Sequence, residues 1–191
     1  MEMYRAVPRE DFDAAKVHGW RAGSRLPGNV PYFVDNLWEV ARPPHLPSRR
    51  NAVYASPTPA LALPNATARN LSQDQYVVGR VKLNGTPKLF QLSKPDARDH
   101  GDLKALQKLV HATWKDWGMR TMAAKLAVAP LFLPGTTRAE LEQAMAADPA
   151  VRTLIEAAVA AVTVWTDAPN AAEGEIFFEL GQGDSYTLEP V

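Results

Sequence analysis

Apolar and polar positions alternate near both ends of the chain and recur at helical spacing in its middle. "MEMYRAV" reads as an opening strand and "AVYA", Ala52 to Ala55, as another. "QYVVGRVKL" and "TPKLFQL" alternate on either side of "NGT", the pattern of a hairpin. "VTVWT", "GEIFFEL" and "SYTLEP" supply closing strands. "PREDFDAAKVHGW" places a proline at a first helical position and Gly19 past the end, which predicts a helix from Pro8 to Gly19. Arg21 to Arg50 is proline-rich around the aromatic cluster "VPYFVDNLWEV" and reads as a long connection, a length usually reserved for lids and binding loops.

Between Asp99 and Val164 the period changes. "GDLKALQKLVHATWKDWG" sets Leu103, Leu106, Val110, Trp114 and Trp117 on one helical stripe. "TRAELEQAMAADPAVRTLIEAAVAAV" predicts one or two further helices, broken near Pro149. The pattern as a whole is α+β, with a helical block inserted before the closing strands. At 191 residues the chain is long enough for one domain with a substantial core, and it is read as a single domain, 1–191.

Composition narrows the chemistry. With 46% apolar and 22% charged residues the chain belongs with globular proteins. No apolar run reaches the length of a membrane span, and no secretory h-region opens the chain. No cysteine is present, which removes disulfides, thiolate metal sites and a cysteine nucleophile. The expected location is therefore the cytosol, or a target-cell cytosol reached by delivery. Net charge is zero but uneven: residues 1–96 carry 13 Lys/Arg against 8 Asp/Glu, and the remainder reverses this, 8 against 13. Guanidinium forks match phosphate oxygens, so the Arg-weighted front half suits a phosphate- or pyrophosphate-bearing ligand.

The familiar catalytic motifs are missing. His18, His45, His100 and His111 have no metal-ligand spacing, and no metal is expected. There is no Walker A sequence, no strand-borne G-x-G-x-x-G and no G-x-S-x-G elbow. Three places remain: Tyr4-Arg5 on the opening strand; "AVYASPTP", which puts Ser56 and Thr58 where a buried strand stops; and "EGEIFFEL", where Glu173 and Glu175 enter a strand two residues apart. Strand alternation turns Glu173, Glu175 and Glu179 to one side and Ile176 and Phe178 to the core. Each place also has a plainer reading. Arg5 fits a surface ion pair, Ser56 or Thr58 a helix cap, and the glutamates charged guards of a strand edge.

These segments resemble the bacterial mono-ADP-ribosyltransferase toxins of the Arg–Ser–Glu type. "YRAVPREDFDAAKVHGW" is similar to their opening strand and helix, "AVYASPTP" to their Ser-Thr-Ser strand, and "EGE" to their Glu-x-Glu motif. The likeness covers the first 65 residues and the last 20, and the helical middle lies outside it. "YASPTPALAL" also resembles RES-domain toxins that consume NAD, although Pro64 and Asn65 stand where those would carry a glutamate.

The resemblance implies two small packed antiparallel sheets around an NAD cleft, with flanking helices. It implies NAD as co-substrate and transfer of ADP-ribose to a macromolecular acceptor. A protein side chain is the default acceptor, with the Glu-x-Glu pattern pointing to arginine and nucleic acid open. It also implies a toxin or effector neutralised by an immunity or antitoxin protein, and cut from a longer delivery protein. Arg5 would hold the phosphates, Glu175 the ribose and its developing charge, Ser56 the orientation of Glu175 or the nicotinamide ribose, and Glu173 the acceptor. Tyr4, Tyr54 and Thr58 would line the NAD site, and Tyr32, Phe33 or Trp38 would cover nicotinamide. Glu179 is the rival for the catalytic carboxylate. NAD hydrolysis, a binding domain of the same fold, and transfer to a small molecule such as an antibiotic are the alternatives.

Overall fold

A computed structural model describes residues 1–26, 28–66, 72–113 and 120–191. In chain order the elements are β1 (Tyr4–Pro8), β2 (His18–Gly19), α1 (Tyr32–Ala41), β3 (Val53–Ala55), α2 (Pro59–Ala62), β4 (Tyr76–Asn84), β5 (Lys88–Gln91), α3 (Gly101–Thr113), α4 (Met122–Phe132), α5 (Arg138–Ala147), α6 (Pro149–Ala160), β6 (Ile176–Glu179) and β7 (Ser185–Pro190). The class is α+β with two antiparallel sheets. The chain divides into a sheet unit, residues 1–25, 44–97 and 167–191, and a helical unit, residues 26–43 and 98–166.

In the sheet unit, a four-stranded sheet has the order β1-β4-β7-β2 and a three-stranded sheet the order β3-β6-β5. The two pack face to face through Met3, Val7, Val81, Tyr186 and Leu188 from one and Ala55, Ile176 and Phe178 from the other. Alternation explains the division: Ile176 and Phe178 face this core, and Phe177 faces the other way. Burying Ile176 or Phe178 stabilises the unit by about 1.5–3 kcal/mol each. Tyr4 and Ser56 exchange backbone N–H···O bonds of 2.7 and 2.8 Å and tie the start of β1 to the end of β3.

The expected hairpin does not form. β4 lies between β1 and β7, so both of its edges are taken, and β5 pairs with β6 in the other sheet. The "NGT" turn passes the chain from one sheet to the other. Gly85, at φ +99°, takes the left-handed conformation, and Thr86 N–H donates to Asp184 Oδ1 at 3.0 Å. The helix expected over Pro8–Gly19 is also absent. β1 runs to Pro8, whose missing N–H costs nothing on an edge strand. A short 3-10 turn follows at Arg9–Asp11, Phe12 packs on the sheet core, and the segment ends in β2. "VTVWT" forms no strand: Val164 and Trp165 are buried in a turn.

The helical unit holds α1 and α3 to α6. In α6, Val151, Leu154, Ile155 and Ala158 make a buried i, i+3, i+4, i+7 stripe. The break at Pro149 is as expected, with Asp148 capping α6 by accepting from Ala150 N and Val151 N. α3 buries Leu106 and Val110; Trp114 and Trp117 lie outside the described residues. "VPYFVDNLWEV" is helix α1, not a connecting loop. Pro31 is its N-cap, and Val34, Leu37 and Trp38 are its buried stripe. Trp38 Nε1 donates to Asp102 Oδ2 at 2.8 Å, and Asp102 also accepts from Thr163 N, Thr163 Oγ1 and Val164 N.

Candidate functional site

The site is built on the face of the three-stranded sheet turned away from the shared core. Phe178 pairs with Val53, Phe177 with Tyr54 and Ile176 with Ala55. Continued by one residue, this register sets Ser56 opposite Glu175. Tyr54, Ser56, Glu175, Phe177 and Glu179 therefore share one face. Two residues N-terminal to β6, Gly174 is where the chain crosses Leu92. A side-chain carbon at Gly174 would stand 1.9 Å from Leu92 O, so only glycine fits there. Leu92 N donates to Glu175 O, and Glu175 N to Lys94 O, both at 2.8 Å, which fixes the backbone of the acid.

The Glu175 carboxyl is 7% exposed and accepts from Ala97 N at 3.2 Å. Burial pushes its pKa up to about 7; Asp96 adds to the rise, while Arg49, the Ala97 N–H and Arg25 oppose it. Arg49 is itself 2% exposed, with its Cζ 5.6 Å from the ring centre of Tyr54 and 5.9 Å from that of Phe177. Tyr54 OH donates to Arg49 O at 2.7 Å. Glu179 holds the loop that carries this arginine: its carboxylate accepts from Ser48 N and from Asn51 Nδ2, each at 2.9 Å. Arg25 stacks on Tyr54 at 4.9 Å, and its N–H donates to Arg50 O at 2.6 Å.

Arg5 shares a strand face with the core residues Met3 and Val7. Its Nη1 donates to Tyr54 O at 2.8 Å, on the edge of β3 that faces β1. Burial lowers its pKa, and Arg25 and Arg21 lower it further, against Tyr186. Arg5 thus bonds the edge of β3 beside Ser56, while Ser56 and Glu175 flank the paired strands β3 and β6. Arg5 and Glu175 share no hydrogen bond or ion pair; the guanidinium that most favours the charged form of Glu175 belongs to Arg49.

The remaining candidates separate. Ser56 is buried, and its Oγ accepts from Asn65 Nδ2 at 3.2 Å and makes no bond to Glu175. Asn65 also donates to Pro95 O, which anchors the segment after α2. Thr58 caps α2 by accepting from Leu61 N. Tyr4 is buried, with its OH donating to Glu2. Glu173 is not in the strand, which begins at Ile176; it lies in an exposed turn whose N–H groups are held by Asn170. Tyr32 opens α1 in the helical unit and is 46% exposed. Phe33 lies against Phe132, and Trp38 is fully buried in that unit's core, not a cover for nicotinamide.

Sequence reasoning passed over Arg49, Arg25, Asp96 and Asn65. Arg49 carried a signal, as half of an Arg-Arg pair beside the strand that ends in Ser56. The others had none, because their proximity to Glu175, Tyr54 or Ser56 arises only when separated loops fold together. Among the described residues, no group of three His, Asp or Glu is arranged to hold a metal ion. No family model, no curated protein and no solved structure matches this chain.

Proposed function

We propose that the chain is an NAD-consuming enzyme that breaks the nicotinamide–ribose bond and transfers ADP-ribose to a macromolecular acceptor, acting as a toxin or effector. One observation carries this reading. Ser56 follows β3 and Glu175 precedes β6, the register of that pair carried one residue further opposes them, and Arg5 is bonded to the same edge of β3.

Cleavage of the C1′–N bond sends the electron pair to nicotinamide, which leaves neutral, and positive charge develops at the sugar as in glycoside cleavage. An ionised Glu175, desolvated and held by the backbone, stabilises that charge and accepts a hydrogen bond from the ribose. Arg5 grips the diphosphate. Tyr54 and Phe177, with Arg49 against them, form the apolar wall beside the acid. The acceptor's nucleophile then bonds to C1′ and gives up its proton to the Glu173 carboxylate. Glu173, on an exposed turn, is within reach of a large acceptor in solution. A cell that makes such an enzyme needs a partner that neutralises it.

Mass spectrometry of the purified chain with NAD tests this. Release of nicotinamide together with a +ADP-ribose adduct on added protein or nucleic acid is the expected result. Free ADP-ribose alone assigns water as the acceptor, and intact NAD rejects the reading.

A further inference from the structure

We infer that Asn65 is a positioning residue: it makes the Ser56 hydroxyl a fixed hydrogen-bond donor and ties it to the loop that brackets Glu175. The catalytic part of this role rests on the NAD reading above. Asn65 follows α2 and is half-buried. Its Nδ2 donates to Ser56 Oγ at 3.2 Å and to Pro95 O at 3.1 Å.

The polarity of these bonds decides which way each group points. A carbonyl oxygen only accepts, so the nitrogen end of the Asn65 amide must face Pro95 O. Both protons of that nitrogen are then used, one on Pro95 O and one on Ser56 Oγ. Ser56 Oγ therefore accepts and keeps its own proton to donate. No acceptor among the described residues takes that proton, and Ser56 is 2% exposed. Ser56 lies opposite Glu175 in the continued register, so the proton belongs to the site. Its acceptor there is the carboxamide oxygen of nicotinamide. That oxygen becomes a stronger acceptor as the ring takes up the electron pair, so the bond tightens in the transition state.

The other end of the amide reaches the acid. Lys94 and Ala97, on either side of Pro95, both hold Glu175: Lys94 O accepts from Glu175 N at 2.8 Å, and Ala97 N donates to Glu175 Oε2 at 3.2 Å. One side chain thus couples the direction of the hydroxyl to the placement of the carboxylate.

The test compares the parent with Asn65→Ala, Asn65→Asp and Asn84→Ala, each shown to be folded by its melting curve. Asn84 donates to Ser185 Oγ at 3.3 Å at the exposed end of β4, so its loss controls for an amide–hydroxyl bond away from the site. Carbon-detected NMR of the glutamate carboxyls follows Glu175 with no ligand present. In Asn65→Ala its midpoint should rise by about 0.5 unit, because a loosened Ala97 N–H favours the carboxylate less. Arg49 and Arg25, which favour the same form, lie outside this loop. With NAD, kcat should fall about tenfold in Asn65→Ala while KM changes by less than about twofold. Asn65→Asp keeps the shape but cannot donate, draws the Ser56 proton to itself, and should lose at least as much kcat. Asn84→Ala should match the parent in both measurements. An unmoved Glu175 midpoint in Asn65→Ala overturns the role. NAD cleavage with unchanged kcat in either Asn65 variant also overturns it and leaves the NAD reading standing. A raised midpoint in a chain that leaves NAD intact keeps the hold on the acid and removes the NAD reading.

Discussion

Glu179 and Asn51 meet at 2.9 Å, and with the Ser48 N–H bound to the same carboxylate they fix the loop that lays Arg49 over Tyr54 and Phe177. Two glutamates on one sheet face thus have different work. Glu179 accepts two fixed donors and holds a loop. Glu175 lies buried, with a single N–H and a proton affinity raised to the neutral range. Glu179→Ala should destabilise the sheet unit by about 1–3 kcal/mol, read by urea unfolding. Glu179→Gln, which keeps one acceptor, should lose less. Equal stability of Glu179→Ala and the parent would detach Glu179 from the loop.

Glu175 also sets a pH dependence of stability. Its folded pKa of about 7 lies above its unfolded value, so the folded chain holds the proton more tightly. The stability it contributes is complete below the unfolded pKa and is lost as pH rises through 7. Glu175→Gln removes that loss. It should therefore be more stable than the parent at pH 8, by about 3 kcal/mol, and little different at pH 4. Melting curves at the two values decide it.

Arg49 opposes the rise in the Glu175 pKa. Arg49→Gln should move the acid limb of NAD cleavage to higher pH. In the parent that limb should lie near 7, since the reacting form is the carboxylate. A pH profile of kcat/KM for both chains measures the shift, and an unmoved midpoint would separate Arg49 from Glu175.

His18 titrates in the opposite sense. Burial lowers its pKa, and Lys16, Arg5 and Arg21 lower it further, against Asp13. Its contribution to stability is present above the unfolded pKa and falls away as pH drops through the folded value. His18→Gln should therefore lose less stability than the parent as pH falls into the acid range, and melting curves across that range measure the difference.

Gly174 carries no side chain because Leu92 O occupies the place of one. Gly174→Ala should cost about 1–3 kcal/mol in strain and repacking. It should also displace Glu175, so that NAD turnover falls more than the folded fraction does. Urea unfolding and turnover measured on the same preparation compare the two.

The strands were legible where alternation was strong and local. "MEMYRAV" covers β1 up to its last residue, "AVYA", "GEIFFEL" and "SYTLEP" contain β3, β6 and β7, and the block around Pro149 gives α5 and α6. Partnership was not legible. "NGT" permits a hairpin, but whether β5 returns to β4 depends on β7, which arrives a hundred residues later and takes that edge. Helix α1 was legible in principle, since Val34, Leu37 and Trp38 keep helical spacing, but its prolines and Asp-Asn pair imitate loop punctuation. At the candidate site, the strand pattern places Arg5 in β1, Ser56 just after β3 and Glu175 just before β6. Arg25, Asp96 and Ala97 come from loops whose meeting point only the folded chain defines.

The central claim is that the face carrying Ser56 and Glu175, with Arg5 at its edge, cleaves NAD. Nicotinamide release by the purified chain at pH 8, beside Glu175→Gln shown to be folded by its melting curve, measures this most directly. Release by the parent, lost by at least about a hundredfold in Glu175→Gln, is the expected result. Equal release by the two chains, or none by either, would contradict it.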